Sequence, residues 1–201
     1  MAYELPLFPL RAVLFPGGLL SLKVFEARYL DLIAQCLRER RSFGVVGLSS
    51  GSEVRDAVGK VQLETIGCEA ELLEVNGDSP GILQVRCKGT RRFETHDSSQ
   101  QDNGLWVGQV TALAADADLP YPSACAPTAV SLGLAIARLK GQGVTPILEP
   151  YRYDDPGWVA NRWCELLPLS QQARQKLMEL PDPVVRLQLV DEFLRSKGIL
   201  G

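Results

Sequence analysis

The chain has 201 residues, of which 46% are hydrophobic, and its 24 acidic and 21 basic side chains give a formal net charge of −3 at pH 7. This length allows one domain with a substantial core or two small subdomains. The near balance of charges argues against a surface that binds nucleic acid through bulk positive charge.

The cysteines and the N-terminus indicate a cytoplasmic protein. The five cysteines are odd in number and form no C-x-x-C pair: Cys36, Cys68, Cys87, Cys125 and Cys164. Unpaired cysteines of this kind usually serve as small apolar side chains in proteins of a reducing compartment. Glu4 stands where a signal peptide carries basic residues, and no apolar run approaches the ~18 residues of a membrane span.

The most apolar stretch runs from Leu5 to Tyr29. Three prolines interrupt it: Pro6, Pro9 and Pro16. Because each proline lacks a backbone donor, we expect short extended pieces joined at bends, and neither one helix nor a central strand throughout. Gly17 and Gly18 after the third proline predict a turn. The alternation from Leu19 to Val24 then predicts a half-buried strand that leads into a helix.

The next part of the chain predicts one helix and a series of short strands. The helix is expected near 26–41, with apolar residues at helical spacing: Tyr29, Leu30, Ile33 and Leu37. The strands are expected at 43–48, 61–66, 68–75, 82–87, 91–95 and 105–113. Asn76-Gly77, with Asp78, Pro80 and Gly81 close behind, predicts a hairpin turn, and Ser49–Ser52 a loop. This spacing indicates an antiparallel, barrel-like sheet.

Beyond the polar linker Asp116–Pro122 the pattern becomes helical. A first helix is predicted from an N-cap at Ser123 to about Lys140, with an apolar stripe that includes Val130, Leu134 and Ala137. Three further helices are predicted after N-cap residues: Asp155, Ser170 and Asp182. The predicted fold class is therefore α+β, with a β-rich subdomain over 1–115 and a helical-bundle subdomain over 116–201.

One motif suggests enzyme chemistry without its usual context. Gly47–Gly51 matches G-x-S-x-G, which makes Ser49 a candidate nucleophile of a small esterase. The motif needs a following helix and a histidine, yet more strands follow and His96 is the only histidine, so we favour a plain loop. The sequence offers neither a phosphate-binding glycine motif nor paired metal ligands. Catalytic, cofactor-binding and metal-binding residues are therefore predicted as none.

One short segment has the residue types of a nucleic-acid patch. Lys88–Phe93 contains three basic residues and an aromatic one. On a strand, however, Arg91 and Phe93 share one face while Arg92 takes the other, which disperses the charge. We favour a structural role for this segment.

Several motifs match one known family in order and spacing. They are Leu5-Pro-Leu-Phe-Pro-Leu10, Leu14-Phe-Pro-Gly17, Val24-Phe-Glu-Ala-Arg-Tyr29, Phe43-Gly-Val-Val46, Ile66-Gly67, Lys88-Gly-Thr-Arg-Arg-Phe93, Leu166-Leu-Pro-Leu-Ser170 and the segment from Arg174 to Leu180. In these residues the chain closely resembles the Lon protease N-terminal domain, also called the Lon substrate-binding domain. The resemblance implies a β-rich, PUA-like pseudo-barrel followed by a C-terminal helical bundle.

The resemblance also implies a function. In the full-length proteases this domain helps to recognise and deliver unfolded or tagged polypeptides and contributes to assembly, while other segments carry the ATPase and peptidase sites. We therefore expect a stand-alone, non-enzymatic module that binds unfolded or extended polypeptide or a partner protein, as an adaptor in protein quality control. A homo-oligomer stays open. The alternative is RNA binding, because PUA-like barrels occur in RNA-binding proteins, but the acidic balance argues against it.

The segment from Phe25 to Tyr29 supplies the candidate binding residues. In one interpretation Phe25, Glu26, Arg28 and Tyr29 form a polypeptide-contacting edge. In the other they form a strand-to-helix junction, with both aromatic rings in the core and Glu26 or Arg28 in an internal ion pair. We favour the junction, because it needs these residue types for packing and capping.

Overall fold

The computed structural model describes residues 1–50 and 61–200, and the chain divides into two compact units, Met1–Ala114 and Ala115–Gly201. Within the described residues the first unit holds the strands and one α-helix, and the second holds the remaining helices. The predicted α+β class is confirmed.

The first unit contains a closed ring of strands. Its elements are β1 (Ala2–Leu10), β2 (Leu19–Val24), α1 (Ala27–Glu39), β3 (Phe43–Ser50), β4 (Gln62–Ser79), β5 (Ile82–Gln100) and β6 (Trp106–Ala112). The ring runs β1-β3-β4-β5-β6 and returns to β1, with β2 added to the outer edge of β5. All pairings are antiparallel except β1 with β3. This is the barrel-like arrangement that the strand spacing predicted.

The prolines of β1 lie where the strand has a partner on one side only. Residues Ala2–Leu7 pair with β6, and Leu7–Leu10 pair with β3. Pro6 and Pro9 therefore each have one strand neighbour, which is where a residue without an N–H is tolerated. The expectation that this segment is not a central strand throughout is confirmed.

Two pairs of predicted strands are single long strands. The expected breaks fall at Gly67 in β4 and near Gly89 in β5, and both strands continue through them. A side chain at Gly67 would collide with the ring of Phe93, and one at Gly89 with the carbonyl of Phe15. These glycines permit close approach within the sheet and do not end a strand.

The predicted hairpin joins β4 and β5, and its turn lies at the later of the expected residue pairs. Asn76-Gly77 lies inside β4, and the turn is Pro80-Gly81, where Gly81 has φ +76° and Ser79 pairs with Ile82. Proline followed by a glycine at positive φ is the usual central pair of a type II turn. The predicted loop 49–52 is wrong at its start, because β3 reaches Ser50; residues 51 and 52 lie outside the described residues.

Helix α1 covers the larger apolar cluster of the first unit, and Tyr29 and Ile33 are buried there as predicted. The prediction for Leu37 is wrong, since that side chain is 51% exposed. Leu32 and Cys36 take the inward positions, so the buried stripe lies about one residue earlier along the helix than expected.

The second unit contains four α-helices in the described residues. They are α2 (Ala126–Gly141), α3 (Pro156–Leu166), α4 (Gln171–Glu179) and α5 (Pro183–Ser196), and a short 3-10 turn at Ser123–Cys125 precedes α2. The side chains of Asp155, Ser170 and Asp182 accept hydrogen bonds from the first-turn N–H groups of α3, α4 and α5. These three predicted N-caps are confirmed. The cap predicted at Ser123 is wrong, because α2 begins at Ala126 after Cys125 and has no side-chain cap.

The predicted inward face of α2 is wrong. Val130 and Leu134 are 64% and 68% exposed, while Leu132 and Ile136 are buried. The buried hydroxyl of Thr128 donates to Asp191 on α5, and its carbonyl accepts from Nε1 of Trp163 on α3 at 3.0 Å. These long-range hydrogen bonds determine which face turns inward.

All five cysteines are buried and free. Burial raises the pKa of the Cys36 thiol to about 11 and those of Cys87 and Cys164 to about 12. These thiols remain protonated near neutral pH, as expected of apolar packing residues. Among the helices of the described residues, none combines the length and the hydropathy needed to span a bilayer.

Candidate functional site

Strand β2 has one unpaired edge. Its residues pair with β5 in antiparallel register from Leu19 opposite Lys88 to Val24 opposite Leu83. Within residues 1–50 and 61–200, no strand pairs with the other side of β2. A free edge presents a row of backbone donors and acceptors to an incoming strand.

A β-bulge at the start of β2 determines which residues face this edge. Gly17, with φ +74°, donates its N–H to the carbonyl of Gly89 at 2.8 Å, and Gly89 donates to the carbonyl of Gly18 at 2.9 Å. This is the geometry of a G1 bulge. Hydrogen-bonded positions then alternate along the antiparallel ladder from Gly18. The backbone groups of Leu19, Ser21 and Lys23 therefore point to the free edge.

A small pocket lies at the end of this edge. It has a volume of about 90 Å³ and is lined by residues of β1, β2 and the start of α1: Phe8, Leu10, Leu22, Lys23, Val24, Phe25, Glu26 and Tyr29. β1 and β2 are not hydrogen-bonded to each other, so the pocket occupies a gap in the sheet. Most of its lining is apolar, which suits one aliphatic side chain.

Phe25 is the exposed member of the candidate set. Its side chain is 59% exposed, although Val24 before it is buried. Strand alternation places successive side chains on opposite faces, and α1 begins only at Ala27. The expectation that Phe25 lies in the core is therefore wrong, and the residue presents an aromatic ring beside the pocket.

Tyr29 forms part of the rigid wall of the pocket. Its ring stacks on that of Phe8, with centroids 3.9 Å apart and an angle of 13° between the planes. Both residues are buried, and Phe43 lies behind Phe8 at a centroid distance of 6.0 Å. The junction interpretation is confirmed for Tyr29.

Glu26 and Arg28 form the expected internal ion pair. Oε2 of Glu26 lies 2.9 Å from Nη2 of Arg28, whose side chain is only 6% exposed. Nη1 of Arg28 donates to the carbonyl of Gly104 at 2.7 Å. Gly104 adopts φ +84° in the turn between β5 and β6 and donates its N–H to the carbonyl of Gln101. Arg28 thus fixes the first turn of α1 to a distant loop.

The structure gathers three of the four candidates around one pocket and adds residues that the sequence did not suggest. Phe25, Glu26 and Tyr29 line the pocket, whereas Arg28 supports it. The alternation in β2 was a signal for Leu22 and Lys23. No local signal indicated Phe8, because it lies on a strand that is not adjacent to β2 in the sheet.

A larger cavity of about 700 Å³ lies at the other end of α1, and Glu69 is the buried carboxylate in its lining. The buried carboxylate of Glu69 accepts hydrogen bonds from Tyr3, from Ser42 at 2.8 Å and from Nε of Arg91 at 2.7 Å. Burial opposes ionisation of Glu69, but these donors outweigh it and lower the pKa of Glu69. We interpret this cluster as structural.

The residues of the esterase hypothesis have other partners. The exposed Ser49 donates to the carbonyl of Gln62 at 3.1 Å. Nε2 of His96 lies 2.8 Å from the hydroxyl of Thr111. Gly51, which completes the motif, lies outside the described residues. In the described part of the chain, no three His, Cys, Asp or Glu side chains group as a metal site.

Comparison with known proteins matches this architecture to one family. Residues 4–196 match the family model described as the ATP-dependent protease La (LON) substrate-binding domain. The chain belongs to the LON substrate-binding domain family. The resemblance in the sequence motifs is thereby confirmed.

Two solved structures of similar proteins cover nearly the whole chain. The crystal structure of a Lon N-terminal domain protein from Xanthomonas campestris is 34% identical, covers 94% of this chain and 96% of its own, and has a TM-score of 0.73. The N-terminal domain of the Mycobacterium avium complex Lon protease is 15% identical, with coverages of 96% and 98% and a TM-score of 0.64, and supports the fold alone. Among curated proteins, no match was found.

Proposed function

We propose that this LON substrate-binding domain binds extended or partly unfolded polypeptide by strand addition to β2, without catalysing a reaction itself. The observation that carries the proposal is the free edge of β2, which ends at the exposed ring of Phe25 and its apolar pocket. Family membership supports a substrate-binding role.

Two kinds of contact contribute to this mode of binding, one to affinity and the other to selectivity. Backbone groups of Leu19, Ser21 and Lys23 form main-chain hydrogen bonds with any extended segment, which gives affinity without sequence dependence. The pocket beside Leu22 and Phe25 receives one apolar side chain, which gives selectivity for unfolded chains, since folded proteins bury such residues.

The site is held in shape before the polypeptide arrives. The other edge of β2 is fully paired with β5, and the start of α1 is fixed by the stacking of Tyr29 on Phe8 and by the hydrogen bond from Arg28 to Gly104. Binding then costs little ordering of the domain, because the entropy loss falls mainly on the polypeptide.

In the cell, this activity corresponds to a cytoplasmic adaptor in protein quality control, whose partners are polypeptide substrates or another protein. Self-association is compatible with the same free edge. A nucleic-acid partner does not fit this acidic chain, whose sequence pI is about 5.3.

The test is the binding of a fluorescein-labelled protein that has been reduced and carboxymethylated so that it cannot refold, measured by fluorescence anisotropy. Ser21→Pro removes an N–H that points to the free edge and leaves the pairing with β5 intact. We expect saturable binding by the wild type and by the matched control Ser21→Ala, and loss of binding by Ser21→Pro with an unchanged far-UV spectrum. Wild-type affinity in Ser21→Pro, or no saturable binding at high micromolar concentration, would overturn the proposal.

A further inference from the structure

The outer face of the sheet beside the site is organised as rows of cross-strand neighbours on β4, β5 and β2. The first row is Glu71, Lys88 and Leu19; the second is Glu74, Arg86 and Ser21; the third is Asn76, Gln84 and Lys23. Directly opposite residues in a sheet place their side chains on the same face and within contact distance.

The third row differs from the other two in its charges. Oε2 of Glu74 lies 3.1 Å from Nη1 of Arg86, and Glu71 stands directly opposite Lys88, so each of these rows contains an acid beside a base. In the third row Asn76 and Gln84 are neutral. Lys23 is exposed and forms no ion pair among the described residues. Its next neighbour in the row is the free edge.

We infer that the strand bound at β2 carries an acidic residue opposite Lys23, flanked by apolar residues whose side chains turn to the inner face. The inference rests on the proposed function, because it assumes that the polypeptide pairs with this edge. The apolar flanks follow from alternation, since Leu22 and Val24 next to Lys23 line the pocket on that face. The domain therefore selects extended segments in which an acidic residue lies between aliphatic residues.

A preference for acidic peptides distinguishes an effect of Lys23 from an effect of the net charge of the protein. The chain has a net charge of −3, so its overall field disfavours acidic peptides. An acidic preference therefore has to arise from Lys23 and not from the charge of the whole protein. The preference is also expected to fade at high salt, because Lys23 is exposed.

The test uses three fluorescein-labelled peptides of equal length with leucine or valine at alternate positions and glutamate, glutamine or lysine at the others. Anisotropy titrations at low salt are expected to give the wild type an affinity for the glutamate peptide about two- to fivefold above that for the glutamine peptide, with the lysine peptide weakest. Lys23→Glu is expected to reverse this order. Lys176→Glu, on α4, changes the net charge equally and is expected to preserve it.

The outcomes distinguish this inference from the proposed function. If the glutamine peptide binds and Ser21→Pro abolishes its binding, strand addition holds whatever the charge preference. An order of affinities that Lys23→Glu leaves unchanged, or a lysine peptide that binds the wild type most tightly, would overturn the acidic preference alone. A glutamine peptide that fails to bind would overturn strand addition itself.

Discussion

The ring of Tyr29 on α1 stacks on the ring of Phe8 on β1, with centroids 3.9 Å apart and planes 13° from parallel. The contact joins the start of the only α-helix described in the first unit to the strand that contains Pro6 and Pro9. Because both rings also line the pocket at the end of β2, the same two side chains stabilise the core and form the candidate site.

This stacking predicts a large effect of truncation at Tyr29. Tyr29→Ala is expected to lower the free energy of unfolding by about 3–5 kcal/mol, through lost burial and an unfilled cavity. Tyr29→Phe keeps the stacked ring and is expected to cost about 1 kcal/mol or less. Urea unfolding followed by circular dichroism measures both, and equal losses in the two variants would contradict the role of the stack.

The buried guanidinium of Arg28 predicts a second stability effect. Arg28→Ala leaves the carboxylate of Glu26 and the carbonyl of Gly104 without this donor, and we expect a loss of about 3 kcal/mol. Arg28→Lys is expected to recover little, since one ammonium group cannot reproduce the geometry of two guanidinium nitrogens. Urea unfolding at pH 7 measures the stability of both variants. Wild-type stability in Arg28→Lys would contradict the need for simultaneous contacts with Glu26 and Gly104.

The partly buried carboxyl of Glu165 predicts a pH dependence. Burial raises the pKa of Glu165 from its ordinary value of 4.5 to about 7, although Arg162 and Arg174 oppose the shift. Because the pKa of Glu165 is higher in the folded state than in the unfolded state, protonation of Glu165 stabilises the fold. This contribution to the free energy of unfolding is complete below about pH 4.5 and is lost as the pH rises through about 7.

Glu165→Gln removes this titration. The free energy of unfolding of the wild type is therefore expected to fall relative to that of the variant between pH 4.5 and 8, by on the order of 2 kcal/mol. The expected magnitude is smaller than the full shift because the side chain keeps 19% exposure, which weakens the effect of burial. Urea unfolding across that range measures the difference, and a constant difference would contradict the shift.

The face of α2 shows where sequence patterns fail. The N-caps Asp155, Ser170 and Asp182 were predictable because each signal lies within three residues of the N–H that it accepts from. The orientation of α2 was not, because it depends on the hydrogen bond between Thr128 and Asp191, two residues far apart in the chain. For the same reason, the sequence predicted that Leu19–Val24 form a strand but did not predict the gap between this strand and β1, where Phe8 lies.

Leu132 and Leu134 test the corrected face, since they lie two positions apart in α2. Leu132 is fully buried, so Leu132→Ala is expected to cost about 2–5 kcal/mol of unfolding free energy. Leu134 is 68% exposed, so Leu134→Ala is expected to stay within about 0.5 kcal/mol of the wild type. Thermal unfolding measures the loss of stability in both variants. A larger loss in Leu134→Ala than in Leu132→Ala would support the face of α2 that the sequence predicted.

Phe25 predicts an effect on binding without an effect on stability. Its ring is 59% exposed beside the pocket, so Phe25→Ala removes contact area for a bound polypeptide and little of the core. We expect the affinity for the labelled unfolded protein to fall by about tenfold, as for an aromatic contact residue worth more than 1 kcal/mol, with an unchanged melting temperature. Leu73→Ala, at an exposed position of β4 outside the pocket, is the matched control and is expected to bind as the wild type does. Equal losses in both variants would mean that the polypeptide contacts exposed apolar side chains generally, whereas a loss confined to Phe25 would place the contact at the end of β2.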